Sequence, residues 1–172
     1  MRRLAVLLAA CALTGAAFAA TPSAPAPGRT IPCNEIILGT KWPYVGNRQP
    51  EHRYRTVLEA VSVPPAYMQQ ISGPEPGRWP YFRKSGMVVK AGAGPITISV
   101  APAWRSRAAI SWGNGGHGPF TSIRLARCAA GTGGYAYAGG FFLHAASACV
   151  PLVFRLGARS ETVRFGVGRR CY

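Results

Sequence analysis

Histidine, glutamate and cysteine are the side chains through which this chain could do chemistry, and all three are scarce. His52 sits in the polar run Gln49-Pro-Glu-His-Arg53, His117 in the loop Gly113-Asn-Gly-Gly-His-Gly118, and His144 follows Phe141-Phe-Leu143. None is paired at a metal-ligand spacing such as H-x-x-x-H. A hydrolase would have to couple one of them to a carboxylate. The supply is Glu35, Glu51, Glu59, Glu75 and Glu161, because the chain contains no Asp. Asp-built calcium loops and Asp-held magnesium sites are therefore excluded. No G-x-S-x-G elbow occurs, and the glycine-rich stretches Gly113–Gly118 and Gly131–Gly134 match no phosphate-binding or dinucleotide motif. No metal and no cofactor are expected. The chain reads as a non-enzyme, with a small extracellular hydrolase using His52, His117 or His144 and a glutamate as the alternative.

Of the five cysteines, Cys11 lies in an export signal. Arg2 and Arg3 form a basic start, Leu4 to Ala17 is apolar, and Ala17-Phe-Ala19 is a small-x-small cleavage pattern. Residues 1 to about 19 thus read as a signal peptide, too short for a spanning helix of ~20 apolar residues. Leu8-Ala-Ala-Cys11 keeps a second reading open, a lipoprotein anchored through Cys11. Residues 20–32 are a flexible Pro/Ala-rich leader, and 33–172 form one domain. No transmembrane span is expected in the mature chain. Cys33, Cys128, Cys149 and Cys171 make an even set in an exported chain and read as two disulfides. Three connectivities are possible. Placement at strand ends favours Cys128–Cys149 and Cys33–Cys171.

Binding residues are easier to nominate than catalytic ones. Trp42-Pro-Tyr44 and Trp79-Pro-Tyr81-Phe-Arg83-Lys84 put aromatics in Pro-containing segments, the second beside a basic pair. Such rings can stack on sugars, and Arg83 with Lys84 can hold an anion. The formal charge is +15, with 17 Arg among 20 basic residues. Loss of Arg2 and Arg3 leaves about +13, a field that favours an anionic cell-envelope polymer or acidic lipid headgroups, with nucleic acid the less favoured polyanion. Arg124, Arg155 and Arg164 alternate with apolar neighbours and are assigned to an outward sheet face.

The elements that must position these residues are strands. Glu35–Leu38, Tyr54–Val63, Met87–Ala91, Ile96–Ala101, Ala108–Trp112, Thr121–Cys128, Ala136–Leu143, Val150–Leu156 and Thr162–Val167 are short, β-branched or aromatic, and separated by Gly, Pro and Ser. Pro65–Ile71 alone could make a turn or two of helix. The fold class is all-β: an antiparallel β-sandwich, Ig-like or jelly-roll-like, stabilised by disulfides. A tight turn at Ala158-Arg159 would set Leu156 opposite Glu161, Phe154 opposite Val163 and Leu152 opposite Phe165. One face of that hairpin is then apolar and the other mostly polar.

Trp79-Pro-Tyr-Phe-Arg-Lys-Ser-Gly86, Ala103-Trp-Arg-Ser-Arg107, Ile110-Ser-Trp-Gly113, Tyr137-Ala-Gly-Gly-Phe141, Cys149-Val-Pro-Leu152 and Val163-Arg-Phe-Gly-Val-Gly-Arg169 resemble a family of small uncharacterised secreted proteins of high-GC Gram-positive bacteria. The resemblance covers roughly residues 79 to 171. It implies secretion and paired cysteines and brings no catalytic residue. The sequence therefore favours a secreted, non-enzymatic β-sandwich that binds a polyanion or cell-wall component. Carbohydrate binding through Trp42, Tyr44, Trp79 and Tyr81 is a further alternative.

Overall fold

Alternation of β-branched and polar residues governs the largest sheet. In Ile96-Thr-Ile-Ser-Val100 the three apolar side chains are fully buried, while Thr97 and Ser99 face outward and are only partly covered. The structure, a computed structural model, describes residues 28–46, 53–69, 72–114 and 118–172. Among these, a six-stranded sheet runs in the order β1 (Arg29–Ile31), β10 (Ser122–Leu125), β8 (Ile96–Val100), β13 (Ala148–Leu156), β14 (Arg159–Val167), β5 (Tyr67–Met68). A five-stranded sheet runs β2 (Leu38–Thr40), β11 (Gly134–Tyr137), β7 (Met87–Lys90), β4 (Val61–Val63), β3 (Arg55–Val57). The third sheet is β6 (Tyr81–Lys84), β12 (Gly139–Leu143), β9 (Ala108–Trp112). Among the described residues only β1 with β10 and β5 with β14 pair in parallel. One continuous apolar core gathers residues from all three sheets, in a sandwich-like arrangement. The expected all-β, disulfide-stabilised class is what the chain forms. Among the described residues no helix is long and apolar enough to cross a membrane.

The hairpin of β13 and β14 turns one residue earlier than the spacing suggested, which shifts each cross-strand partner by two. Leu156 pairs with Arg159, Phe154 with Glu161 and Leu152 with Val163. The loop is Gly157-Ala158, and Gly157 lies at φ +58°, where glycine carries no steric cost. A shift of two leaves every side chain on its face, because strand side chains repeat every two residues. Leu152, Phe154, Val163 and Phe165 are all buried, while Arg155 and Arg164 are exposed.

Four other expectations are corrected. Tyr54–Val63 is two strands, because Val57-Leu-Glu-Ala60 turns with Leu58 and Glu59 at φ 50° and 55°. Ala136–Leu143 divides between β11 and β12, which belong to different sheets. In place of a strand from Glu35, Cys33–Glu35 forms a 3-10 turn, and the strand begins at Leu38. Where helix was allowed at Pro65–Ile71, Tyr67–Met68 pairs with Gly166–Val167; Gln70 and Ile71 lie outside the described residues.

The disulfides form, but with the other connectivity: Cys33–Cys128 and Cys149–Cys171. The expected pairing assumed that the strand ending at Cys128 neighbours the one starting at Cys149. In fact β8 separates β10 from β13. Parallel pairing of Ile31 with Leu125 carries Cys33 toward Cys128, and the pairing of Cys149 with Gly166 leaves Cys171 a short return to Cys149. Residues 1–27, including the signal-peptide reading, most of the leader and Cys11, lie outside the described residues.

Candidate functional site

The edges of the three sheets meet beside Arg83 and Lys84, at the end of β6. There a cleft of about 570 Å³ is bounded by those two residues, by Tyr67 on β5, by Pro64-Pro65 after β4, and by Tyr44, Tyr54 and Arg170. Three cations and three phenols therefore surround one space. No carboxylate lines it among the described residues.

Each member is held by its own contacts. Tyr44 and Tyr54 meet edge to face, with ring centroids 4.8 Å apart. The Tyr44 backbone N–H donates to Ser62 Oγ at 3.1 Å, on the wholly buried strand β4. The Tyr54 hydroxyl donates to the Gly86 carbonyl at 3.1 Å. Arg170 stacks over the Tyr67 ring at 5.2 Å, a cation–π contact. It precedes Cys171, whose bridge to Cys149 ties this segment to the start of β13. Burial pushes the Tyr54 hydroxyl above its usual value, Tyr44 adds to this, and Arg83 opposes it. Burial also pulls Arg83 below its usual value, against the nearby phenols of Tyr54 and Tyr67. Its Nε is buried with no hydrogen-bond partner among the described residues. A buried guanidinium nitrogen without an acceptor is costly.

A smaller, mostly apolar groove of about 170 Å³ lies against the same wall, lined by Ile37, Leu38, Thr40, Met87, Val88, Ala136 and Tyr137, and it shares Tyr44, Tyr54 and Gly86 with the cleft. Tyr137 is buried, and its hydroxyl is pushed up to about 12, first by burial and then by Tyr135 and Glu35. The sign of its linkage follows. Raised above an unfolded value of 10.0, Tyr137 stabilises the fold fully below pH 10. That contribution drains away as pH climbs from 10 to 12, a loss of about 2 to 3 kcal/mol. Tyr137→Phe is expected to flatten this part of an alkaline unfolding curve followed by circular dichroism. An unchanged alkaline slope would contradict it.

The remaining nominated residues are dispersed. Tyr44, Arg83 and Lys84 converge in the cleft; Trp42, Trp79 and Tyr81 are half-buried and do not line it. Trp79 carries Arg78 over its ring at 5.1 Å, and Tyr81 packs on the core. Arg124 and Arg155 pair with the same residue, Thr97, from either side. They stand about 10 Å apart on the outer face of the six-stranded sheet. Arg164 lies opposite Pro151, also exposed. His144 is exposed in a third cleft of about 430 Å³ with Trp104, Arg107, Ser147 and Arg169, and no glutamate lines that space among the described residues. His52 and His117 lie outside the described residues.

Tyr54, Tyr67 and Arg170 are the members that the sequence did not nominate. Tyr54 reads as a strand start, Tyr67 falls in the segment open to helix, and Arg170 is one of many arginines. Only the meeting of three sheet edges unites them. No family model, no curated protein and no solved structure matches this chain.

Proposed function

We propose that this protein is an exported, non-catalytic binding module whose Tyr/Arg cleft takes an acidic group presented at the cell envelope. One observation carries the reading: Arg83, Lys84 and Arg170 converge in a space walled by three tyrosines and, among the described residues, by no carboxylate. Guanidinium groups match phosphate and carboxylate oxygens in pairs, and the Tyr44 and Tyr67 hydroxyls can donate to the same ligand, the Tyr54 proton being held by the Gly86 carbonyl. The N-terminal signal, the two disulfides and the resemblance to a secreted family support export.

Inorganic tripolyphosphate is a suitable probe, titrated by calorimetry at several salt concentrations. The double variant Arg83→Gln, Arg170→Gln is expected to weaken binding at least tenfold. It should also reduce the slope of log affinity against log salt by roughly one to two, as two cations are lost. Arg124→Gln, Arg155→Gln, on the outer sheet face, is the control and is expected to change affinity less than twofold. A larger effect of the control pair would move the site to that face. Salt-insensitive binding, or none, would overturn the reading.

A further inference from the structure

Most of the large exposed apolar side chains among the described residues gather in one place. Among the described residues the large exposed hydrophobics are Ile37, Leu38, Tyr44, Val45, Tyr67 and Tyr172. Ile37, Leu38 and Tyr44 line the small groove, Tyr44 and Tyr67 line the cationic cleft, and Val45 follows Tyr44 directly. Leu38 is 53% exposed on β2, the edge strand of the five-stranded sheet. Single exposed apolar residues need no explanation, but a cluster beside a charged pocket marks an interaction surface.

The two spaces share a wall. Tyr44, Tyr54 and Gly86 line both, so an occupant of the cationic cleft has the groove directly beside it. On one side stand Arg83, Lys84 and Arg170; on the other stand the apolar Ile37, Leu38, Met87, Val88 and Ala136, with Thr40 and Tyr137 as the polar members. A ligand complementary to both halves carries negative charge at one end and hydrocarbon at the other. We propose that the cleft and groove form one site for a single-chain anionic amphiphile. Its acidic head would lie among Arg83, Lys84 and Arg170, and the first part of its acyl chain along Ile37 and Leu38. The inference rests on the anion-binding reading above and names the ligand class for that same site. A groove of 170 Å³ is the size of a cavity that takes a benzene-sized group, roughly six carbons. A longer chain would run out over the exposed edge.

A homologous series of n-alkyl phosphates, used below micelle-forming concentrations, tests this against inorganic tripolyphosphate. Each added methylene buried is expected to tighten binding roughly three- to fourfold. The gain should level off near six carbons. The double variant Ile37→Asn, Leu38→Asn changes exposed side chains and is expected to flatten the chain-length dependence while leaving tripolyphosphate affinity unchanged. Arg83→Gln is expected to weaken every member of the series by one common factor, and Arg83→Lys should recover part of it. Alkyl phosphates binding no tighter as the chain grows would overturn the amphiphile and leave the anion site standing. Equal binding of an alkyl trimethylammonium would overturn it too, since the head would then be irrelevant. Failure of both tripolyphosphate and alkyl phosphates to bind would remove the anion site along with the amphiphile.

Discussion

Replacing Cys33 and Cys128 together by serine will lower stability by about 4 to 5 kcal/mol, and removing Cys149 and Cys171 will cost about 3 kcal/mol. The order follows from loop length. The first bridge closes a separation of 95 residues and the second one of 22, and an unfolded chain freed of the longer loop gains more entropy. Native structure widens the gap. Cys149–Cys171 clamps a hairpin already held by nine paired positions, whereas Cys33–Cys128 holds β1, a three-residue edge strand. β1 also brings Arg29 to the ion pair with the buried Glu35. Beside it, a β-carbon at Gly113 would come within 2.3 Å of the Glu35 carboxylate, and Gly113 lies at φ +118°. Loss of the long bridge is therefore expected to loosen that corner as well. Denaturant unfolding of the two double variants under non-reducing conditions gives the comparison. Equal losses, or a larger one for Cys149/Cys171, would contradict it. Peptide mapping of the intact protein should find Cys33 joined to Cys128, and a Cys128–Cys149 peptide would refute the pairing directly.

That pairing illustrates where a sequence stops being legible. Burial on the last hairpin was readable to the residue, because a two-residue period survives a shift of two in the cross-strand partners. Which cysteines meet was not, because it depends on which strands are neighbours, and β8 enters between β10 and β13 from far along the chain. The turn at Leu58-Glu59 was hidden for a related reason. Positive φ at both residues is ordinarily the work of Asn and Gly, and neither is present. Here the Leu58 N–H donates to Glu161 Oε2 at 3.1 Å and the Leu58 carbonyl accepts from Arg159 at 2.7 Å. A turn held by a hairpin about a hundred residues away leaves no local trace. The site divides in the same way. Arg83 and Lys84 stood out as a basic pair beside aromatics, and Tyr44 as an aromatic in a Pro-containing segment. Tyr54, Tyr67 and Arg170 are unremarkable in sequence and join only through tertiary contact.

Phe165→Ala is expected to destabilise the protein by about 4 to 5 kcal/mol, near the upper end for a buried phenylalanine. Phe165 is 1% exposed on β14. Its ring lies 5.3 Å from that of Phe141 on β12 and 6.5 Å from that of Phe154 on β13, and Arg55 of β3 sits over it at 4.9 Å. One side chain thus touches all three sheets. Truncation removes the transfer energy of the ring, leaves a cavity, and loses aromatic and cation–π contacts worth roughly 0.5 to 1.5 kcal/mol each. Phe165→Leu keeps most of the volume and is expected to cost only about 1 to 1.5 kcal/mol. Arg55→Met, which also loses the hydrogen bond to the Arg164 carbonyl at 2.8 Å, should cost about 1 kcal/mol in the wild type and less in the Phe165→Ala background, a coupling that a double-mutant cycle reads. The shape of the unfolding curve matters as much as its midpoint. Because the core is continuous, Phe165→Ala should shift a single transition to lower denaturant with its slope preserved. A transition that splits in two would mean that the smaller sheets fold apart from the six-stranded one, and that Phe165 joins two cores instead of sitting inside one.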